Sequence, residues 1–461
     1  MSPETQVSVA IIGGGVAGLT LANICEQSGI SYVLWESQDR IAPPVGASIG
    51  LMPNGLRILD QIGVIDAIEE YRIPHDSWEH RDADGTLYSS VTAMRKFPEI
   101  LGYSDIFMER QRVLEILYDK IQDKSRISTG KRVILVENFP THATVTATDG
   151  SQLQASIIVG ADGVHSVVRR AINALAPSLE PPADYLSTHV TCVYGISTPH
   201  PSLPTGRNYT IYRPHSSLLI FTGAGGALYW FIIRELPEPL PYGHGPRRFT
   251  AADIDAAAAA VADACVTTPN DSEDKENGED GQNVVVRFKD IYSRRRTAVM
   301  TPLEEGIAGR WAAGRMVIVG DAAAKMVPHA AMGANQAMES VACLASGLLR
   351  IRGGQEGMAE GFEGAGVEEW LVEYGRRREG RLRMVVKVAN LACRAQLRIG
   401  EEAERYIAEL REDVEDEVWV GKMMDTFANA EMIEGWEGGS ERVRFYTEQV
   451  RKWKEEHAVS A

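Results

Sequence analysis

Apolar and polar positions alternate along the chain in three recurring ways. Val7–Ile12 is a short apolar run rich in β-branched residues, which predicts a strand buried on both faces of a parallel sheet. A helix is expected from about Val16 to Gln27, followed by a second strand at Tyr32–Glu36. Leu56, Leu59 and Ile62 share one face of a further helix, with Asn54 as its expected N-cap and its end near Gly63. Trp78–Val91 alternates around the turn Asp82–Gly85 and predicts a hairpin. Ser104–Met108 reads as extended, and Glu109–Asp119 as a helix with Val113, Leu114, Leu117 and Ile121 turned inward. Arg132–Val136, Thr144–Thr148 and Leu153–Ile158 predict three more strands.

The pattern then changes. Leu186–Arg234 consists of short β-rich runs separated by Pro, Gly and His-Ser turns, which predicts an antiparallel sheet and hence a second lobe. Pro237–Pro246 reads as a loop, Ala251–Cys265 as an Ala-rich helix, and Val284–Tyr292 as a strand. Between them Thr267–Gly281 is acidic and almost free of apolar residues, the signature of a surface insertion. Arg315–Val319 is apolar and leads through a turn into a helix from about Met332–Gly333 to Arg350. Gly353–Gly366 is a Gly-rich break. From Val367 onward the chain reads as charged helix, with Val385, Val388, Leu391 and Leu397 at apolar spacing.

At 461 residues the chain is too long for one ordinary core, so two or more lobes are expected. The net charge of −16 disfavours nucleic acid or an anionic membrane as a partner. The five cysteines are scattered without a C-x-x-C pair, so neither a metal site nor a disulfide framework is supported, and a reducing cytoplasmic setting is expected. No apolar run is long enough to span a bilayer, and the N-terminal run reads as a first strand rather than a signal peptide.

Three strand–turn–helix junctions carry the candidate chemistry. In the first, Gly13, Gly15 and Gly18 stand at G-x-G-x-x-G spacing within GGGVAG, which also contains Gly14 and Ala17. Gly13 allows the tight turn, Gly15 lets a pyrophosphate approach the backbone, and Gly18 lets helix and strand pack closely. Glu36 ends the second strand about twenty residues on, where a carboxylate can accept both ribose hydroxyls. This context points to dinucleotide binding; the plainer alternative is a Gly-rich turn with Glu36 solvated. The second junction is GADGVHS at Gly160–Ser166, and the third is GDAAAKMVPHAAMGANQAMES at Gly320–Ser340. Ser37–Pro53 reads as a connecting loop rich in Pro and Gly, whose small residues Gly46, Ala47, Ser48 and Gly50 suit a backbone lying against a flat ring or phosphate; a plain surface loop is the alternative.

Taken in order, VGASIG, ERQRVLEIL, GADGVHSVVR and the GD segment resemble the FAD-dependent aromatic-hydroxylase-like monooxygenases, and within them the fungal paxilline-pathway epoxidase-like group. The resemblance extends to about Arg350. It implies an α/β fold with a Rossmann-type FAD-binding lobe, a second lobe of antiparallel β-sheet with helices as in p-hydroxybenzoate hydroxylase, and a helical C-terminal region. The implied division is 1–76, 105–183 and 298–352 for the FAD-binding lobe, 77–104 and 184–297 for the substrate lobe, and 353–461 for the C-terminal helices. It implies FAD as cofactor, NADPH or NADH as transient reductant and O2 as co-substrate. A bulky apolar secondary-metabolite intermediate (prenylated indole, terpenoid or polyene) would be epoxidised or hydroxylated through a flavin C4a-hydroperoxide.

Residue by residue, the resemblance implies that Gly13, Gly15 and Gly18 hold the pyrophosphate and Glu36 the adenosine ribose. Gly50 would lie near the flavin, Arg110 would reach the cofactor from its helix start, and Asp162 would serve both FAD and NAD(P)H. Asp321 would bond the ribityl chain, with Pro328, Gly333 and Ala334 at the ring. A helix N-cap is the alternative for Asp321 and a surface salt bridge for Arg110. The chain departs from its relatives at Ala324, where His is common, and at Ala331, Met332 and Ser340. Tyr209, Tyr212, Arg213 and Trp230 on the second lobe are candidates for a general acid, with Tyr212 selected; packing in the sheet is the alternative. His165 and His329 read as hydrogen-bonded loop histidines. A flavoenzyme that inserts no oxygen and a non-catalytic flavin-binding relative are the rival classes; a halogenase is disfavoured because no W-x-W-x-I-P run is present.

Overall fold

The structure is a computed structural model that describes residues 6–457 apart from 45, 47, 176–185, 241–247, 269–284, 354–361, 363, 365 and 413–414. The acidic insertion therefore lies almost wholly outside the described residues, as does Ala47. The strand Gln6–Ile12 occupies the centre of the first sheet. It pairs in parallel with Gln152–Gly160 on one side and Tyr32–Trp35 on the other. Met316–Ile318 extends the sheet beyond Gln152–Gly160. The register aligns Ile12 with Trp35 and Gly160, and Gly160 with Ile318. Four turns consequently leave the sheet at one edge, the C-terminal end of parallel strands where α/β folds bind ligands. Val9, Ile11, Ile157, Val159 and Val317 have no exposed surface, as strands covered on both faces require.

Among the described residues the second sheet has eight strands. Its centre is antiparallel, built from Ser187–Ser197, Arg207–Arg213, Ser216–Thr222, Leu228–Leu240 and Arg295–Ile307. The hairpin Ser77–Asp82 and Leu87–Val91 joins this sheet through a parallel pairing with Arg207–Arg213. Side chains alternate between faces. Ile211, Leu218, Ile220 and Trp230 turn to a separate core with Phe288 and Ile291. Leu219, Phe221 and Tyr229 turn to the main core.

Several expected elements are corrected. Asn54 is not an N-cap: the helix Pro53–Gln61 starts two residues earlier than that cap would place it, after Met52, with Pro at its first position, where a missing N–H does no harm. The Asn54 side chain is inside and donates to Glu339. The Ala-rich helix stops at Ala259, because the chain turns there to bring Cys265 beside Arg287. Phe288–Tyr292 is a short helix rather than part of a strand, started by reciprocal bonds between Arg287 and Asp290. The loop Ser37–Pro53 contains a strand, Ser48–Leu51, paired with Ile106–Glu109. Leu228–Leu240 carries strand into the Pro-rich stretch expected as loop.

The C-terminal region forms four helices, Val367–Gln396, Glu401–Arg411, Asp416–Ala428 and Glu441–His457. The first turns Leu382, Val385, Val386 and Ala389 inward, whereas Val388 is 55% exposed. It is locked to the helix Gly333–Arg352 by Glu339, which has no exposed side-chain surface. That carboxylate accepts from Asn54 Nδ2 at 2.7 Å, Arg378 Nη1 at 3.1 Å, and Arg381 Nε and Nη2 at 2.5 and 2.7 Å. Burial opposes its charge, but the arginines prevail and hold its pKa below the usual 4.5. Losing one partner of such a buried network costs about 3–5 kcal/mol. Among the described residues no helix is long and apolar enough to cross a membrane.

Candidate active site

The four turns at the sheet edge converge by backbone fit. Gly13 has φ +109°, and a Cβ there would stand 2.4 Å from the Ala161 carbonyl oxygen. A Cβ on Gly18 would stand 1.9 Å from the carbonyl oxygen of Gly13. Only glycine permits either approach. The helix Val16–Ser28 begins after Gly15 with no capping side chain, so its first N–H groups are left for an anion. Space opens over Gly15, where a Cβ would meet only the Arg110 guanidinium, at 3.8 Å. Arg110 opens the helix Arg110–Lys120, and it forms no surface salt bridge among the described residues. A backbone cradle under an unpaired cation is what a pyrophosphate requires.

Glu36 is positioned by the turn itself. Gly14 N–H donates to its Oε2 at 2.7 Å, and Gln38 N–H to its Oε1 at 2.7 Å. Gly14 thus spends its N–H on orienting the carboxylate. Asp162 is likewise engaged: its Oδ2 accepts from Val167 N at 2.7 Å, at the start of the helix Val167–Ala174. Burial raises its pKa, and Oδ1 is buried with no partner among the described residues. Its backbone, rather than its side chain, lies against Gly13. Arg169 ties this turn to the next by donating to the Ala322 carbonyl at 2.8 Å.

Asp321 does not cap the long helix. It sits in the turn Gly320–Ala322 and accepts from Lys325 Nζ at 2.6 Å. Burial works against the lysine's charge, but Asp321 outweighs it and the Lys325 pKa is raised. Lys325 escaped the sequence reading, although a lone charge within an apolar run was its signal. Ala17 is buried beside Gly320, where a Cβ would come within 3.3 Å of Ala17 Cβ, so small residues let two of the turns touch. The helix Gly333–Arg352 also starts without a capping side chain, and nothing lies within 4 Å of a Cβ at Gly333. Its first N–H groups, at Gly333 and Ala334, are unspent. Pro328 opens the turn before it. Gly50 packs against this loop, with a virtual Cβ 2.8 Å from Phe107 and 3.0 Å from Ala331, and its carbonyl accepts from Asn335 Nδ2 at 2.9 Å. Ala331 itself is left-handed, φ +50°, a conformation that strains a residue with a Cβ.

Beyond this loop lies a cavity of about 390 Å3 with mainly apolar walls. Met52, Trp78, His80, His329 and Met332 line its inner part, and Met384, Val388, Trp419 and Phe427 bring the C-terminal helices to its outer wall. Sequence reading expected helices here but missed their part in the cavity, because their apolar spacing is indistinguishable from core packing. Of the four residues proposed on the sheet, none lines the cavity. Tyr209 and Trp230 turn to the opposite core, and Arg213 reaches the Ala260 carbonyl. Tyr212 has no exposed surface; its hydroxyl lies 3.0 Å from His80 Nδ1, behind the wall. Its assignment as the acid is therefore corrected: the strand places its ring one layer back. His165 is exposed. His329 is not hydrogen-bonded: both ring nitrogens are buried without a partner among the described residues. Burial lowers its pKa to about 3, and that of His80 to about 4, so both are neutral at pH 7.

Comparison with known proteins identifies this architecture. A family model described as an FAD binding domain matches residues 6–389. The fold is that of salicylate hydroxylase in complex with substrate (TM-score 0.69, 18% identity, 96% of this chain and 98% of that one). It is also that of Klebsiella pneumoniae HpxO complexed with FAD and uric acid (TM-score 0.70, 22% identity, 92% and 97%). Among curated proteins, the FAD-dependent monooxygenase cdmI of Talaromyces verruculosus is 34% identical over 407 residues, covering 87% of this chain and 81% of the relative. The FAD-dependent monooxygenase penM of Penicillium crustosum is 35% identical over 397 residues, covering 86% and 80%. The chain belongs to the FAD-dependent monooxygenases.

Proposed function

We propose that this monooxygenase takes electrons from NADPH or NADH and inserts oxygen into a bulky apolar secondary-metabolite intermediate, such as a prenylated indole, terpenoid or polyene, by epoxidation or hydroxylation. The observation that carries this reading is the cavity: mainly apolar, about 390 Å3, and walled on one side by the loop that precedes Gly333. Bound FAD supplies the redox chemistry that activates O2. The chain's own residues do the rest. The N–H groups after Gly15 and the Arg110 guanidinium hold the pyrophosphate, and Glu36 accepts the adenosine ribose hydroxyls. Asp321, paired with Lys325, accepts from the ribityl chain. Pro328, Gly333 and Ala334 face the ring, where the helix N-terminus stabilises negative charge on it. Gly50 and Asp162 shape the site through their backbones. Trp78, Met332 and the C-terminal helices orient the substrate and exclude water. The five unpaired, buried cysteines support a cytoplasmic setting. The proposed lobes are the cofactor lobe at 1–76, 105–183 and 298–352, the substrate lobe at 77–104 and 184–297, and the helical region at 353–461.

The test is turnover of the purified yellow enzyme with NADPH or NADH under labelled oxygen, using a panel of prenylated indoles and terpenoids. Label in the product is expected. Nicotinamide oxidation that yields only peroxide across the panel would overturn the reading.

A further inference from the structure

The cavity is apolar, yet its walls hold polar atoms that the protein leaves unsatisfied. Trp78 is not among them, because its Nε1 donates to Thr210 Oγ1 at 2.8 Å. His80 is. It is 9% exposed and lies nearly parallel to Trp78, with ring centroids 6.0 Å apart and an interplanar angle of 9°. Its Nδ1 is held at 3.0 Å by the hydroxyl of Tyr212, which is enclosed by Tyr88 and Tyr406. This fixes the ring and leaves Nε2 as its free polar edge, with no partner among the described residues. Gln396 is the second. It lines the cavity, is 3% exposed, and its Oε1 is buried without a partner among the described residues.

The end of the helix Val367–Gln396 sets Gln396 in the wall of the same cavity that His80 lines. His215 N–H donates to the Leu397 carbonyl at 2.8 Å, and Arg398 pairs with Asp82 at 3.0 Å. The helix end is thereby seated on the hairpin that carries His80. A buried carbonyl without a donor is unfavourable, so such a pair is retained where a ligand completes it. His329 stands apart on the cofactor loop.

We propose that His80, positioned by Tyr212, and Gln396 form a polar clasp for a hydroxyl group, so that the enzyme selects an apolar skeleton that already carries a free alcohol over the bare hydrocarbon. The hydroxyl donates to Gln396 Oε1 and exchanges its second bond with His80 Nε2. An upstream reaction must therefore leave or install an alcohol on the skeleton. The proposal rests on the reading of the cavity as the substrate site.

The test uses the full-length FAD-loaded enzyme and three probes of matched skeleton: farnesol, its methyl ether and farnesene. Dissociation constants are read from the change in flavin absorption and, independently, from tryptophan fluorescence, without turnover. Farnesol is expected to bind about tenfold tighter than farnesene, as one well-placed hydrogen bond gives. The methyl ether, which has no donor, should bind like farnesene. His80→Leu and Gln396→Leu should each abolish the preference for farnesol over farnesene. His80→Gln should retain part of it, which separates recognition from a folding defect. Equal binding of the three probes by the unaltered enzyme, survival of the preference in His80→Leu, or no binding of any probe would overturn the proposal. Failure of the oxygen-insertion reading shows differently: the preference for the alcohol persists, but no labelled product forms.

Discussion

The cofactor turns and the cavity meet at one loop but are built by opposite means. On the cofactor side the first turn is local. Gly13, Gly15, Gly18 and Glu36 belong to one strand–helix–strand unit, and their contacts are made by backbone. The cavity gathers side chains from the helix start at Met52, the hairpin at Trp78 and His80, the loop at His329, and three C-terminal helices. Glycine spacing announces the first kind of site. Nothing in any one segment announces the second, because each of its residues also reads as ordinary core.

That contrast can be broken experimentally. The largest effect is expected on the cofactor side, where backbone leaves no slack. Gly18→Ala forces a Cβ to 1.9 Å from the Gly13 carbonyl and should destabilise by more than about 4 kcal/mol; the purified variant should be colourless, with a lowered Tm. Next is the clamp that joins the two regions. Glu339→Ala strands Arg378 and Arg381 and should lower stability by about 3–5 kcal/mol in urea unfolding. Because the folded pKa of Glu339 is depressed, its contribution is present above the unfolded value near 4.5 and is lost as pH falls below it.

Arg110→Met should leave folding intact and weaken FAD binding roughly 10- to 100-fold in a flavin titration, the loss of charge-assisted bonds to phosphate. On the cavity side the sensitive variable is pH. His80 and His329 stay neutral in the fold, with pKa values near 4 and 3, while the unfolded chain protonates them near 6.5. Stability should fall as pH drops from about 6.5 towards 4, by up to about 1.4 kcal/mol per pH unit for each imidazole. Replacing both by Leu should flatten that slope in denaturant titrations. The smallest effect is at the shared loop. Ala331→Gly relieves a left-handed alanine and should raise stability by about 1 kcal/mol, seen as a higher Tm.

The chain by itself determined the parallel sheet, its glycine turns and the antiparallel second lobe. Apolar runs, alternation and G-x-G-x-x-G spacing report interactions between residues close in sequence. Its limits fall where distant segments compete for a residue. Asn54 looks like a cap but is claimed by Glu339. Val388 looks like core but faces the cavity, more than half exposed. Tyr212 looks accessible on its strand, yet His80 from a parallel neighbour stands between it and the cavity. Arg398 reaches Asp82 on the His80 hairpin, 316 residues away, only because tertiary packing closes the intervening chain. Which polar groups end up satisfied, and which are left waiting in an apolar wall, is decided by that packing, since burial and partnership depend on neighbours that no local pattern encodes.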